Sequence, residues 1–348
     1  MRYLIFGGPG IGDTIIELSM AKALKENDND AMVDLLISNS LGSANSISEI
    51  LKYQIYVDHL FVWSKRDILS MFITFSKMKQ RKYDYGFSCA TSFKANDTPA
   101  KVCRLLGCTS IIKEVNKKTG KIDIPILVDE NLHIVEQCQE VIRKLYPNCK
   151  LDLYVLCKEK IPTKKIERLN KLVTICIGTN ITTFQKDKVF YEKNIKQWDI
   201  QNWIKVANYL SSKSYSVALI GGKKEKEFID DLRSTIDDQV GVYVGITSIE
   251  ESLSIIKQSD LVVGADTGMM HCAAALNKKT ITLFGGTDSR VWRPFSIKGK
   301  VIEGKSDCRP CYGLDRAITC TSRKCMESIS VQNVIDTIIC ALQENEGD

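Results

Sequence analysis

Short apolar runs recur along this chain with helix-like stretches between them, and that alternation constrains the fold more than any other feature. YLIF (3–6), VDLLI (33–37), VTICI (173–177), VALIG (217–221), VYVG (242–245), LVVG (261–264) and TITLF (280–284) show little polar alternation. Strands buried on both faces read this way, as in a parallel sheet covered by helices. Between the runs, the spacing predicts helices over about 13–26, 199–212, 223–236, 249–258 and 267–276. Strand and helix alternating in this manner imply a doubly wound α/β architecture. The pattern starts afresh near residue 172, after the lysine-rich, proline-bearing CKEKIPTKKIERLNK (157–171). The expected organisation is two Rossmann-like domains facing each other across a cleft, residues 1–165 and 166–329. A terminal segment, 330–348, follows, with a helix over about 330–343.

At 348 residues, with 44% hydrophobic and 26% charged residues, the chain fits a soluble two-domain protein. No stretch approaches the roughly 20 uninterrupted apolar residues that a membrane helix needs. Tyr3 to Phe6 is too short for the apolar core of a signal peptide. The expectation is a cytoplasmic protein. A net charge of +6 is too small to argue for a nucleic-acid partner, but it suits anionic small molecules or a membrane surface. Thirteen cysteines, an odd number without an export signal, argue against a disulfide framework.

The first strand runs into GGPGIGD (7–13) and then a helix, where a doubly wound fold binds ligands. Gly8, Gly10 and Gly12 give G-x-G-x-G, which misses the dinucleotide spacing, and no GK[ST] follows for a Walker loop. Asp13 has two readings: an N-cap for the helix, or a carboxylate able to take a proton from a hydroxyl. The richest stretch is DLVVGADTGMMHCAAALNKKTITLFGGTDSRVW (260–292). Asp266, Thr267 and Gly268 form a turn between strand and helix, and the free N–H groups and dipole of a helix start favour anions. His271, one of three histidines, is either structural or a donor to a phosphate. Phe284-Gly285-Gly286-Thr287-Asp288 is a second hydroxyl-bearing loop at the same sheet edge.

Together, GIGD after the first strand, D-T-G-x-x-H-x-A-A-A at 266–275, and L-F-G-x-T-D at 283–288 with Trp292 shortly after carry a resemblance. In that order they resemble the glycosyltransferases related to ADP-heptose:lipopolysaccharide heptosyltransferases, family 9, of GT-B fold. The resemblance implies an inverting transfer of a sugar, heptose from ADP-heptose by default, to a hydroxyl of a cell-surface glycan or glycolipid. It implies that Asp13 is the general base, with Gly10 and Gly12 in the acceptor-side turn. Asp266, Thr267, Gly268, Met269 and His271 would cradle the donor diphosphate. IGTNITTFQKDKVFYEKNIKQWDIQNW (177–203) looks like the family's K-x-W-P-x-x-x-W segment, with Lys196, Trp198 and Trp203, and Asp199 where a proline is common. Lys196 would offset charge on the leaving diphosphate, and Thr179 and Asn180 would contact phosphate. In GGKKEKEF (221–228), Glu225 would hold the ribose, with Glu227 the alternative. The resemblance implies no catalytic metal. A nucleotide-sugar epimerase and a non-catalytic nucleotide-sugar-binding protein are the alternatives outside transfer.

Cys308-x2-Cys311-x8-Cys320-x4-Cys325 places four thiols within eighteen residues. The spacing fits a tetrahedral structural site for zinc or iron; the alternative is a set of reduced thiols in a loop. The expected role is a structural clip near the domain junction. A similar segment holds iron in family members that glycosylate autotransporter proteins, so a protein acceptor is a further alternative. Finally, SKRDILSMFITFSKMKQRKY (64–83) is amphipathic with flanking cations. Ile68, Phe72, Phe75 and Lys79 share one helical face, with Leu69, Ile73 and Ser76 alongside. The first expectation is a core-packed helix with solvated lysines. The second is a surface for an anionic acceptor or for peripheral contact with the inner face of the cytoplasmic membrane.

Overall fold

The computed structural model describes residues 1–39, 43–64, 67–88, 98–114, 123–126, 129, 131–166, 168, 170–179, 195–311, 320 and 322–344. The chain divides into two compact units, Met1–Cys157 and Lys158–Asp348. Each is built on one six-stranded, wholly parallel sheet.

In the first unit the strands are β1 (Arg2–Gly7), β2 (Met32–Ser38), β3 (His59–Trp63), β4 (Tyr85–Ser88), β5 (Ser110–Glu114) and β6 (Ile124–Ile126). Their order is β3-β2-β1-β4-β5-β6. The helices are α1 (Ile11–Asn27), α2 (Ala44–Ile50), α3 (Ile68–Lys79), α4 (Thr98–Leu105) and α5 (Ile134–Arg143). The middle of β1 and of β2 is wholly buried, which is why both lack polar alternation. One polar exception is Asp34 on β2, 1% exposed. It accepts from the Tyr83 hydroxyl at 2.7 Å and is paired with Arg81, with the His59 ring beside it. A buried carboxylate needs such partners. They tie the turn after α3 to the sheet.

The second unit repeats the plan. Its strands are β7 (Leu172–Cys176), β8 (Ser216–Ile220), β9 (Gly241–Val242), β10 (Leu261–Ala265), β11 (Lys279–Phe284) and β12 (Gly299–Glu303). The order β12-β11-β10-β7-β8-β9 is the first unit's order read from the other edge. The helices are α6 (Ile200–Ser212), α7 (Lys223–Asp231), α8 (Ile249–Gln258), α9 (Gly268–Ala275), the short α10 (Ser289–Trp292) and α11 (Lys324–Glu327), and α12 (Val331–Gln343). The core joins β7, β8, β10 and β11 to α6 and α12, with Trp198 and Trp203 edge to face at 4.6 Å. Each fully buried aliphatic or aromatic side chain there is worth roughly 1.5–3 kcal/mol.

Element positions follow the sequence pattern closely, with two corrections. The helix expected over 223–236 stops at Asp231 and ends in a tighter turn at Arg233–Thr235. The strand expected over 242–245 is only Gly241–Val242, and Gly245 has a φ of +72° that breaks extended backbone. Both sheets have the doubly wound order in which the chain reverses direction beside the first strand. The two switch points lie between β1 and β4, and between β7 and β10. Ligands of such sheets bind beyond the carboxyl ends of the strands at these places. Among the described residues no helix is long and apolar enough to cross a membrane.

Candidate active site

At the first switch point, β1 ends at Gly7 and α1 begins at Ile11, with Gly10 as an extended N-cap. Asp13 is not itself the N-cap. It stands one turn in, and its Oδ2 accepts from the Gly10 N–H at 2.9 Å. Glu17, a turn further along and fully buried, accepts from the Gly8 N–H at 2.6 Å. The loop therefore wraps two carboxylates of its own helix. The glycines make the room: a Cβ on Gly8 would lie 2.6 Å from the Asp13 Cγ, and one on Gly10 would lie 2.8 Å from its Oδ2. Gly12 sits in the first turn of α1. A turn so occupied repels a phosphate. Asp13, half-buried at the sheet edge, suits a neutral hydroxyl.

The second switch point has the opposite character. Asp266 follows β10, and its carboxylate meets the Lys196 ammonium at 2.7 Å. Asp266 is 8% and Lys196 19% exposed in the side chain, so the pair is held where solvent screens it little. Thr267 is the N-cap of α9, yet its hydroxyl makes no cap hydrogen bond. Its Oγ1, the His271 Nδ1 and the Thr287 Oγ1 are all buried without a hydrogen-bond partner among the described residues. Buried polar atoms are ordinarily satisfied, and these three orphans lie at the sheet edge where ligands of doubly wound folds bind. Gly268 and Met269 open the helix and are half-exposed. Burial lowers the His271 pKa to about 4, with Lys196 pushing the same way and Asp266 against it. His271 is therefore neutral at pH 7 and offers hydrogen bonds rather than charge.

The loop after β7 completes the arrangement. Thr179, 5% exposed, donates to the Gln197 Oε1 at 2.7 Å. Gln197 in turn donates to the Trp198 and Ile177 carbonyls. Asp199, where the family commonly has a proline, caps α6 through the Gln201 N–H at 2.8 Å. Glu225 occupies the third position of α7, and its Oε2 accepts from the Gly222 N–H at 2.7 Å. A Cβ on Gly178 would lie 3.0 Å from that same oxygen, so Glu225 stands at the carboxyl end of β7. Asn180 lies outside the described residues, as does the rest of the segment between Thr179 and Ile195. Thr287 stands in the hydroxyl-bearing loop that the sequence marked, whereas Glu17 and Gln197 gave no signal of their own. The one available clue was that Glu17 lies four residues after Asp13, on the same helix face.

The cysteine segment is stapled to the loop after β11. Arg309 donates to the Gly285 and Gly304 carbonyls, and the Cys311 N–H donates to the Gly286 carbonyl at 2.8 Å. Cys311 and Cys325 are buried, Cys320 is intermediate and Cys308 exposed, all as free thiols. Burial pushes the Cys325 thiol up, and the neighbouring thiols of Cys311, Cys308 and Cys320 add to it. Yet among the described residues no three His, Cys, Asp or Glu side chains are gathered closely enough to hold a metal ion. The four thiols share a neighbourhood but do not form the tetrahedral set that their spacing suggests.

Comparison with known proteins agrees with this geometry. The pattern of glycosyltransferase family 9 (heptosyltransferase) matches residues 127–321, more than half of the chain. The lipooligosaccharide heptosyltransferase 2 of Haemophilus influenzae is 23% identical over 314 residues, covering 87% of this chain and 88% of that protein. Two solved structures share the fold along nearly all of both chains. A family 9 glycosyl transferase from Veillonella parvula superposes with a TM-score of 0.76 at 13% identity, covering 99% and 98%. The E. coli heptosyltransferase WaaC with ADP gives 0.69 at 16% identity, covering 98% and 100%. Two doubly wound units, two unlike glycine turns at their switch points and this match together make the chain a glycosyltransferase, a member of glycosyltransferase family 9.

Proposed function

We propose that this protein transfers heptose from ADP-heptose, with inversion, to a hydroxyl of a lipopolysaccharide-type acceptor on the cytoplasmic side of the membrane. The observation that carries this reading is the set of orphaned, buried polar atoms beside the Lys196–Asp266 pair at the α9 N-terminus. A nucleoside diphosphate supplies the acceptors those groups need. Thr267, His271 and the opening N–H groups of α9, from Gly268 and Met269, bind the diphosphate oxygens. Lys196 offsets the charge that grows on the leaving group. Glu225 takes the ribose hydroxyls. Thr179 lines the phosphate side, and the resemblance gives Asn180 the same role. Unit 1 presents the acceptor turn, with Gly10 and Gly12 setting the backbone around Asp13. Asp13 accepts the proton from the acceptor hydroxyl. The oxygen attacks the anomeric carbon, the bond from that carbon to the diphosphate oxygen breaks, and the electron pair leaves with ADP. The relatives that carry the name heptosyltransferase favour transfer over an epimerase or a non-catalytic role.

Calorimetry against ADP-heptose, ADP, and UDP- and GDP-sugars tests the donor, followed by transfer to truncated glycolipid and to protein acceptors. Tight binding confined to ADP-heptose and ADP, with turnover on the glycolipid, supports the reading. Preference for another nucleotide sugar moves the donor, and turnover only on protein moves the acceptor. The cysteine segment we assign a structural role, with zinc or iron as the ion its thiols suit. Holding an ion would require the thiols to close from the open arrangement described above. Elemental analysis of the purified protein that finds one such ion per chain, lost on Cys308→Ser/Cys311→Ser substitution, supports that closure. A metal-free, fully stable protein refutes the metal.

A further inference from the structure

Helix α3 carries apolar side chains on two sides, and only one of them is covered. Met71, Phe75 and Met78 pack on the sheet, with Phe75 against Trp63 at 6.1 Å between ring centroids. Ile68, Leu69, Phe72 and Ile73 point outward, 62%, 72%, 65% and 50% exposed. The helix is packed on the core, as expected, but through a different stripe, and the face of Ile68 and Phe72 is left outside. Phe75 leaves the face it was expected to share with Ile68 and Phe72, because the Met71–Phe75–Met78 stripe is the one that meets the sheet. Scattered exposed apolar residues are ordinary, but four on two successive turns form one patch.

The helix that bears this patch is fixed. Asp67 caps its start through the Ser70 N–H at 2.9 Å. Arg81, just past its end, is committed inward to Asp34. The remaining charges are cations turned outward: Lys77 and Lys79 in the last turn, and Lys82 beyond it, are exposed. Between Ser64 and Tyr83 the sequence holds six Lys and Arg against one acid, Asp67.

We infer that α3 docks this protein on the surface of an anionic lipid bilayer. Ile68, Leu69, Phe72 and Ile73 enter the boundary between headgroups and acyl chains, and Lys77, Lys79 and Lys82 lie at the lipid phosphates. An exposed apolar face beside a cationic end has the composition of an interfacial helix. Lysines with long stems reach back to the headgroups while their carbons cover apolar surface. The excess of basic charge supplies the complementarity to anionic lipid. The inference does not rest on the transfer reading, since the face is the same whatever sugar the enzyme moves.

Co-sedimentation of the full chain with vesicles tests it. One set of vesicles is phosphatidylcholine alone, the other phosphatidylcholine mixed with phosphatidylglycerol. The wild type is expected to pellet with the mixed vesicles and to be released by salt. Leu69→Ser/Phe72→Ser should weaken that partition at least about tenfold, as loss of two inserted side chains requires. Lys77→Gln/Lys79→Gln should weaken it less and flatten its salt dependence. Unchanged melting temperature and nucleotide affinity would show that the variants are folded. A wild type that stays in the supernatant with both vesicle types overturns the inference, as does full binding by the Leu69→Ser/Phe72→Ser protein. Self-association of the wild type that this variant abolishes, without vesicle binding, would also overturn it and reassign the face to a second copy of the chain.

Discussion

The two glycine-bearing turns occupy equivalent places in two sheets of the same order, yet they are chemically opposite. In the β1–α1 turn the chain satisfies its own N–H groups with carboxylates: Asp13 takes Gly10 and Glu17 takes Gly8. In the β10–α9 turn the N-cap hydroxyl of Thr267 makes no cap hydrogen bond, and it and two further buried polar atoms at that sheet edge have no hydrogen-bond partner among the described residues. A doubly wound sheet therefore decides where a ligand sits, and the turn residues decide its charge. In the proposed reading, the first turn, filled with acidic side chains, receives a neutral hydroxyl whose proton must leave, and the second, with a lysine alongside, receives an anion. Glu225 shows that an acidic residue at the third helical position does not by itself mark a base. It makes the same reach-back bond as Asp13, to Gly222, but in the second unit.

Substitutions at the two turns should separate accordingly. The largest effect is expected for Asp13→Asn: turnover falls about 10³-fold, within the range for a lost general base, while ADP-heptose affinity stays as in the wild type. Steady-state kinetics with calorimetry would measure both. A next-largest effect is expected for Lys196→Met, which should cut turnover about 10²-fold and weaken ADP binding, because the cation serves both ground state and leaving group. Turnover that is unaffected would break the assignment of Lys196. Thr267→Val should be milder, about tenfold in donor affinity, with the melting temperature held, since the hydroxyl makes no hydrogen bond among the described residues.

A further effect concerns protons and falls on stability rather than on turnover. An unfolded chain protonates a histidine near 6.5, whereas folded His271 resists protonation down to about 4. Between those values the unfolded state holds more protons, so stability falls as pH falls through the window. Relative to His271→Gln, the wild type should lose up to about 3 kcal/mol between pH 7 and pH 4. Denaturant midpoints at a series of pH values would reveal a difference curve. ADP should narrow it, because an anion beside the imidazole favours the charged form.

Much of the fold was legible because parallel strands buried on both faces announce themselves as local apolar runs. β7, β10 and β11 need no distant information to be found. The chemistry was legible only in part. Asp13, Asp266, Thr267 and His271 stand in turns whose short motifs are contiguous. The Lys196–Asp266 pair joins residues far apart in the chain, brought together by the adjacency of β7 and β10, and only sheet order could reveal it. Gln197 and Glu17 act through single hydrogen bonds to neighbouring segments, which no periodicity records. Helix α3 was ambiguous for a different reason: a helix with two apolar stripes does not say which one meets the sheet. The cysteines mark the limit of spacing as evidence, since four thiols at knuckle spacing do not here close into a coordination group.

One measurement bears most directly on the contrast between the turns: calorimetric titration of ADP-heptose into the wild type, Asp13→Asn and Lys196→Met, each paired with a transfer assay. The account predicts that Asp13→Asn binds donor as the wild type does but scarcely transfers it, and that Lys196→Met loses affinity and turnover together. Donor binding that collapses in Asp13→Asn and survives in Lys196→Met would contradict it, by placing the diphosphate at the turn that the chain has filled with its own carboxylates.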